Sequence, residues 1–254
     1  TTASPSIYVV VYDGLFLDRC LGAWGFGLLF AAGPAMIRLE AVSKTFMSGG
    51  VRKVIADHIS MTFPDKGAVA LIGRNGAGKS SLLKLIAGTM RPTSGRVVAD
   101  GFVSWPIGFA GSFHGDLSGL QNTRFVARVY GVDTDALEEF VREMAELEEH
   151  FFLPFRTYSA GMKARLAFAV SMGIDFDTYL IDEVTSVGDA AFRAKSEAVL
   201  AERIRDRSAI VVSHNLPLLA RMCSAAVVLE NGRATWFDDV DAAIFAHRGA
   251  LVPG

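Results

Sequence analysis

Thiols are scarce in this chain. Only Cys20 and Cys223 occur among its 254 residues, so neither a disulfide framework nor a zinc site built of thiolates is available. A charge surplus of one sign is missing too. The net charge is -2, whereas a dedicated nucleic-acid binder carries a basic excess. Prolines number only 8 and the hydrophobic fraction is 51%, which excludes a disordered chain. An unbroken apolar run is also lacking: the longest uncharged stretch, residues 20–37, contains Gly22, Gly25, Gly27, Gly33 and Pro34. A spanning helix needs about 20 continuous apolar residues. No basic leader precedes the stretch, since Arg19 follows Asp13 and Asp18, so neither an export signal nor a membrane span is expected. Glutamine occurs once, as Gln121.

What is present is length enough for one large domain. Residues 1–35 hold no sustained period, and an alternating strand begins at Met36. Residues 1–35 therefore read as an N-terminal extension upstream of a start at Met36, with an arm packed on the domain as the alternative; residues 36–254 read as the folded domain. Strands are expected at 36–46, 54–63 and 68–72, then a helix over 79–87 that Gly88 stops. Two short strands, 97–99 and 102–105, flank Asp100-Gly101, a hairpin signal. Ser118 and Gln121 form a capping box for a helix to Tyr130, closed by Gly131. A second helix covers 133–149 and a third runs from the Ser159 cap to Ala169. Buried strands return at 179–181, 209–212 and 227–229 with a helix between each. Strand–helix alternation predicts an α/β fold on a parallel sheet, with a helical subdomain at about 116–172 inserted into it.

The strongest chemical signal is Gly73-Arg74-Asn75-Gly76-Ala77-Gly78-Lys79-Ser80, between a buried strand and a helix. Such a loop wraps backbone N–H groups around phosphate oxygens at a helix N-terminus. Lys79 would reach the β- and γ-phosphates and the Ser80 hydroxyl would ligate Mg²⁺. An apolar strand then ends in Asp182-Glu183, where Asp182 would hold the Mg²⁺ shell and Glu183 would polarise a water. Ser159 caps a helix whose first residues include Ala160 and Gly161, leaving its N–H groups open to an anion. His214 follows another buried strand, where it either touches a γ-phosphate and its water or serves as a hydrogen-bonded structural histidine.

The order of these motifs, with Ser186-Val187-Gly188-Asp189 after the acidic pair, resembles the nucleotide-binding domain of an ABC transporter from Met36 to the C-terminus. Tyr-Ser-Ala-Gly-Met-Lys-Ala-Arg-Leu, Tyr-Leu-Ile-Asp-Glu-Val-Thr-Ser-Val-Gly-Asp and Ser-Trp-Pro-Ile-Gly-Phe most resemble the capsular-polysaccharide export ATPases within it. The common signature is Leu-Ser-Gly-Gly-Gln, from which Tyr158, Ala160 and Met162 depart in the manner of that subgroup.

That resemblance implies a P-loop NTPase core with a parallel sheet, an antiparallel β-subdomain and an inserted α-helical subdomain. It implies a head-to-tail homodimer sandwiching two ATP molecules with Mg²⁺. Each ATP would lie against Gly73 to Ser81 of one subunit, including Ser80 and Ser81, and against Ser159 and Gly161 of the other. Asp189 would lie at the dimer interface, Phe46 would stack on adenine or be only a strand-end aromatic, and Glu183 would be the general base with His214 as its partner. The implied partners are a separately encoded multispanning permease and a capsular or related polysaccharide, with the ATPase peripheral on the cytoplasmic face of the inner membrane. An O-antigen or teichoic-acid type exporter is the alternative, though too few residues follow Asn231-Gly232 for an appended sugar-binding domain. A soluble ABC ATPase of translation or DNA repair and a P-loop kinase are the other classes to weigh; the first usually brings two ATPase units, long coiled-coil insertions or basic arms, none of which is present, and the second would lack the Ser159–Gly161 element and need a lid rich in arginine. One departure stands out. The glutamine usual in the loop joining core to helical subdomain is absent from residues 108–114, where His114 either stands in or is simply solvated.

Overall fold

The computed structural model describes residues 36–48, 50–108, 111, 113–183 and 189–249. The extension expected at 1–35, residues 186–188 and part of the 108–114 loop lie outside the described residues. The elements in chain order are β1 (Ile37–Ser48), β2 (Val51–Phe63), β3 (Gly67–Ile72), α1 (Lys79–Ile86), β4 (Ser94–Ala99) and β5 (Val103–Ile107). Then come α2 (Gly119–Tyr130), α3 (Thr134–Ala145), 3-10 turns at Glu148–Phe152 and Phe155–Thr157, and α4 (Ala160–Gly173). The chain ends through β6 (Thr178–Asp182), α5 (Ala190–Ile204), β7 (Ser208–Val212), α6 (Leu216–Met222), β8 (Ala225–Glu230), β9 (Arg233–Phe237) and α7 (Val240–Gly249).

Two sheets result. One is antiparallel in the order β2-β1-β4; the other, β5-β6-β7-β3-β8-β9, is parallel except for β9. Because successive side chains of a strand point to opposite faces, each central strand feeds two cores. Val69, Leu71, Leu180, Ile210 and Val212 face the antiparallel sheet, with α1 between the sheets contributing Leu82, Leu83, Leu85 and Ile86. Ala70, Ile72, Tyr179, Ile181 and Val211 face the helices of the other layer, with Leu137, Val141, Met144 and Phe168. The phosphate-loop helix and the helical block thus lie on opposite faces of one sheet.

Capping chemistry decides the helix boundaries of that block. Ser118 accepts from Gln121 N–H at 3.1 Å and Gln121 Oε1 accepts from Ser118 N–H at 2.9 Å, closing the box that starts α2. Trp105 pins the block to β5: its Nε1–H donates to Ser171 Oγ at 2.9 Å, and its ring meets Tyr130 and Phe176 edge-on. Among the described residues no helix is long and apolar enough to cross a membrane.

Three expectations are corrected. Asp100-Gly101 does not make a hairpin: β4 pairs with β1 in one sheet and β5 with β6 in the other, so the turn passes the chain between sheets. The helix expected to reach Glu149 stops at Ala145, because Glu146 takes a left-handed conformation (φ 52) and a 3-10 turn follows. The helix from Ser159 runs on to Gly173 rather than Ala169, burying Val170, Ser171 and Met172. β9 and α7 were not anticipated at all.

Candidate functional site

The phosphate loop leaves β3 and enters α1 with no side chain capping the helix; Gly78 holds the N-cap position at φ 108. The first amides of α1 are therefore free for an anion, and the helix dipole favours one there. Two glycines are required by contact. A Cβ on Gly73 would lie 2.5 Å from the carbonyl oxygen of Leu229 on β8, and one on Gly78 would lie 2.5 Å from Ile55 Cγ2 on β2. Lys79 is buried, and its Nζ donates back to the carbonyls of Gly73 at 2.8 Å and Arg74 at 3.2 Å. Burial lowers its proton affinity, while the Glu183 and Asp182 carboxylates pull it back up. Ser80 is exposed, and its hydroxyl makes no hydrogen bond among the described residues.

The acidic pair reaches this loop through the sheet. β6 and β7 run parallel with Asp182 opposite Val212, so Glu183 and His214 emerge from neighbouring strand ends. Glu183 takes φ 56, and its N–H still donates to Val212 O at 3.0 Å, which turns the carboxylate out of the strand. Glu183 Oε1 then lies 2.7 Å from His214 Nε2, both half-exposed to solvent. They share an open cleft with Ser213, Asn215, Arg193 and Glu197. A carboxylate beside an imidazole, near enough to Lys79 of the phosphate loop to act on its charge, is an arrangement able to orient a water and take its proton.

Ser159 caps α4, accepting from Met162 N–H at 3.2 Å, and Ser159, Ala160 and Gly161 are exposed. No hydrogen bond or ion pair links them to the phosphate loop within one chain among the described residues. Asp189 caps α5 through Phe192 N–H at 2.9 Å and takes Arg165 Nη2 on its other oxygen at 2.7 Å. The Phe192 amide, ahead of the Arg165 cation, holds this carboxyl below its ordinary range. Phe46 projects from β1 with Lys44 Nζ 5.1 Å from its ring centre. Its cross-strand partner Lys53 reaches the loop, since a Cβ on Gly76 would lie 3.7 Å from Lys53 Nζ. His114 is exposed and its Nδ1 accepts from Asp116 N–H at 3.3 Å; it contacts none of the other site residues among those described.

Sequence reasoning missed Lys53 and Ile55, which reach the loop from β2, and Arg165, which joins α4 to Asp189 and Phe192 at the start of α5. A β-hairpin can bring any of its residues over a distant loop, so no local pattern marks Lys53 or Ile55. Arg165 stands six positions after Ser159 on a helix already identified, and its charge inside a half-buried stretch was the available signal.

A phosphate loop between the parallel sheet and its helix, facing an acidic strand end, defines an ATPase cassette. The chain belongs to the ABC transporter family, which it matches over residues 56–186. It is 43% identical over 208 residues to the capsule polysaccharide export ATP-binding protein CtrD of Neisseria meningitidis serogroup B, covering 82% of this chain and 96% of that protein. It is 42% identical over 220 residues to the polysialic acid transport ATP-binding protein KpsT of Escherichia coli, covering 85% and 100%. The fold is similar to that of a dimeric ATP-binding cassette solved in a post-hydrolysis state with ADP and Pi, with a TM-score of 0.66 at 20% identity over 79% of this chain and 98% of that one.

Proposed function

We propose that this chain hydrolyses ATP to drive export of a capsular or related cell-surface polysaccharide, as the peripheral subunit of a transporter on the cytoplasmic face of the inner membrane. The observation that carries the chemistry is the 2.7 Å contact between Glu183 and His214 beside the phosphate loop. The cargo class follows from the likeness to CtrD and KpsT, which extends over nearly the whole of each.

On this reading the triphosphate lies on the amides of residues 73–81, and Lys79 turns from the Gly73 and Arg74 carbonyls to the β- and γ-phosphates. Phe46 stacks on the adenine. Mg²⁺ suits the donors present: it takes hard oxygen ligands, few of them from protein. The Ser80 hydroxyl and the Asp182 carboxylate would hold it, and when bound it would offset phosphate charge. Among the described residues no cluster of three or more acidic, histidine or cysteine side chains offers a cage to a metal by itself. Glu183 aligns a water with the γ-phosphorus and receives its proton as the new P–O bond forms and the bond to ADP breaks. His214 holds the Glu183 carboxylate in place from the strand end alongside. The exposed N-terminus of α4, with Ser159 and Gly161, lies outside the loop of its own chain, so it completes the γ-phosphate site in a second copy; a homodimer with Asp189 near its interface satisfies this. Phe125 and Val129 of α2, with Phe152 of the adjoining 3-10 turn and Leu153 just after it, are exposed apolar side chains suited to a separately encoded permease.

The test is purification of Glu183→Gln with ATP and Mg²⁺ from gently solubilised membranes, beside ATPase assays. Lys79→Ala is expected to lose nucleotide binding, and Glu183→Gln to keep it while losing on the order of 10²-fold or more in turnover. A multispanning permease is expected in the eluate. Ribosomal or DNA-repair proteins with no membrane partner would remove the transport assignment, and near-normal turnover of Glu183→Gln would remove the base.

A further inference from the structure

Arg165 belongs to none of the groups placed on the nucleotide, yet it joins the elements that carry them. It lies six residues beyond Ser159 on α4, about 9 Å along the helix at 1.5 Å per residue. Its guanidinium is mostly buried, 4.6 Å from the centre of the Phe192 ring, and donates to Asp189 Oδ2 at 2.7 Å. Its other nitrogen lies 3.5 Å from Glu146 Oε2. Glu146 ends α3 and also accepts from Lys195 Nζ at 2.7 Å, while Lys195 donates to the Glu143 carbonyl at 2.8 Å. The ends of α3 and α5 are thus tied to the middle of α4 at a single cation. Only residues 184–188 separate Asp189 from Glu183. A planar guanidinium can stack on Phe192 and serve two carboxylates together; an ammonium cannot.

We propose that Arg165 is a positioning residue for ATP hydrolysis. It holds the first turn of α5, whose Asp189 cap stands six positions after Glu183 in the sequence, in register with the helix that presents Ser159 and Gly161. This rests on Glu183 acting as the base. Helix α1, which the phosphate loop enters, packs on the opposite face of the parallel sheet, in the other core, so loss of Arg165 leaves nucleotide binding intact and slows the chemical step. A misplacement of about 1 Å at a reacting centre costs up to about 10²-fold in rate.

The test measures kcat and KM for ATP, with affinity for a fluorescent ATP analogue, in the full chain. The variants are Arg165→Gln, Arg165→Lys, Asp189→Asn and the double variant Arg165→Gln/Asp189→Asn, beside Glu183→Gln. Asp189→Asn keeps a helix cap through its amide oxygen and puts an NH2 donor where Oδ2 accepts from Arg165. Arg165→Gln is expected to lower kcat on the order of tenfold with affinity changed less than about twofold. Arg165→Lys is expected to recover part of the loss, and the double variant to be no slower than its slower parent, because both changes break one link. A kcat in Arg165→Gln within about twofold of the parent, an affinity loss that accounts for the whole effect, or additive losses in the double variant overturns the proposal. Should Arg165→Gln fail to fold, Arg165→Lys and Asp189→Asn decide it: slowing with affinity kept supports the role, and normal kcat in both overturns it. Turnover surviving Glu183→Gln overturns the base assignment on which the role rests.

Discussion

Gly78→Ala should show how far the phosphate loop depends on one backbone conformation. Gly78 sits at φ 108, a region closed to residues with a Cβ, and the added carbon would lie 2.5 Å from Ile55 Cγ2. Ile55 is buried and β-branched on β2, so it cannot swing clear. Backbone strain costs about 1–3 kcal/mol and overpacking about 1–3 kcal/mol. Together these come to about 4 kcal/mol, which for a domain of this size lowers Tm on the order of 10 °C. Relief of the strain requires the turn to open, which moves the α1 amides off the phosphate position. Thermal unfolding by circular dichroism and binding of a fluorescent ATP analogue would read both effects. Ile55→Ala separates them. In the double variant the contact is gone and the strain remains, so the stability loss should fall short of additive by about 1–3 kcal/mol while binding stays impaired. A Gly78→Ala chain that melts with the parent and binds nucleotide normally would refute the reasoning.

Three further outcomes are expected. Burial pushes the Cys223 thiol up to about 12, and the thiolate is the reactive form, so a Cys20→Ser chain should react with a disulfide reagent at pH 8 only after denaturant is added; prompt labelling of the native chain would contradict this. The folded chain keeps that proton between the ordinary value of 9.0 and about 12 while the unfolded chain releases it, so stability should decline as the pH rises through that window. A chain beginning at Met36 should fold and hydrolyse ATP at the rate of the full chain, and aggregation of it would place residues 1–35 in the core.

What was legible in the sequence was what is local. The box at Ser118 and Gln121, the Gly131 stop and the loop at residues 73–80 each depend on a few neighbouring residues, and each is found as expected. Asp100-Gly101 misled because a turn signal reports a change of direction and not the partner of either flanking strand. Continuous amphipathic spacing through Leu147 hid the break at Glu146, since periodicity records side-chain faces and not the one residue whose φ changes sign. At the site, Glu183 and His214 each stand out from their own strand ends, and their pairing comes only through the family resemblance; the contact itself depends on the parallel register of β6 against β7, which is set across the sheet. The link from Arg165 to Asp189 spans 24 positions and is a product of tertiary packing.

The antiparallel sheet carries a hazard and its remedy together. β2 is 13 residues long and forms one border of its sheet, and a long straight border strand is a template for fibre growth. Here the pairing of β1 with β2 slips at three places between Leu39 and Thr45, and His58 on β2 itself takes φ 51. Arg52, Lys53, Asp57 and His58 stand exposed along the strand, and the Asp57 amide is already taken by the Gly232 carbonyl. A second copy approaching that border would meet a bent ribbon, charges and one hydrogen-bond donor already engaged. The strand that brings Lys53 and Ile55 to the phosphate loop is thereby also guarded against stacking with its own kind.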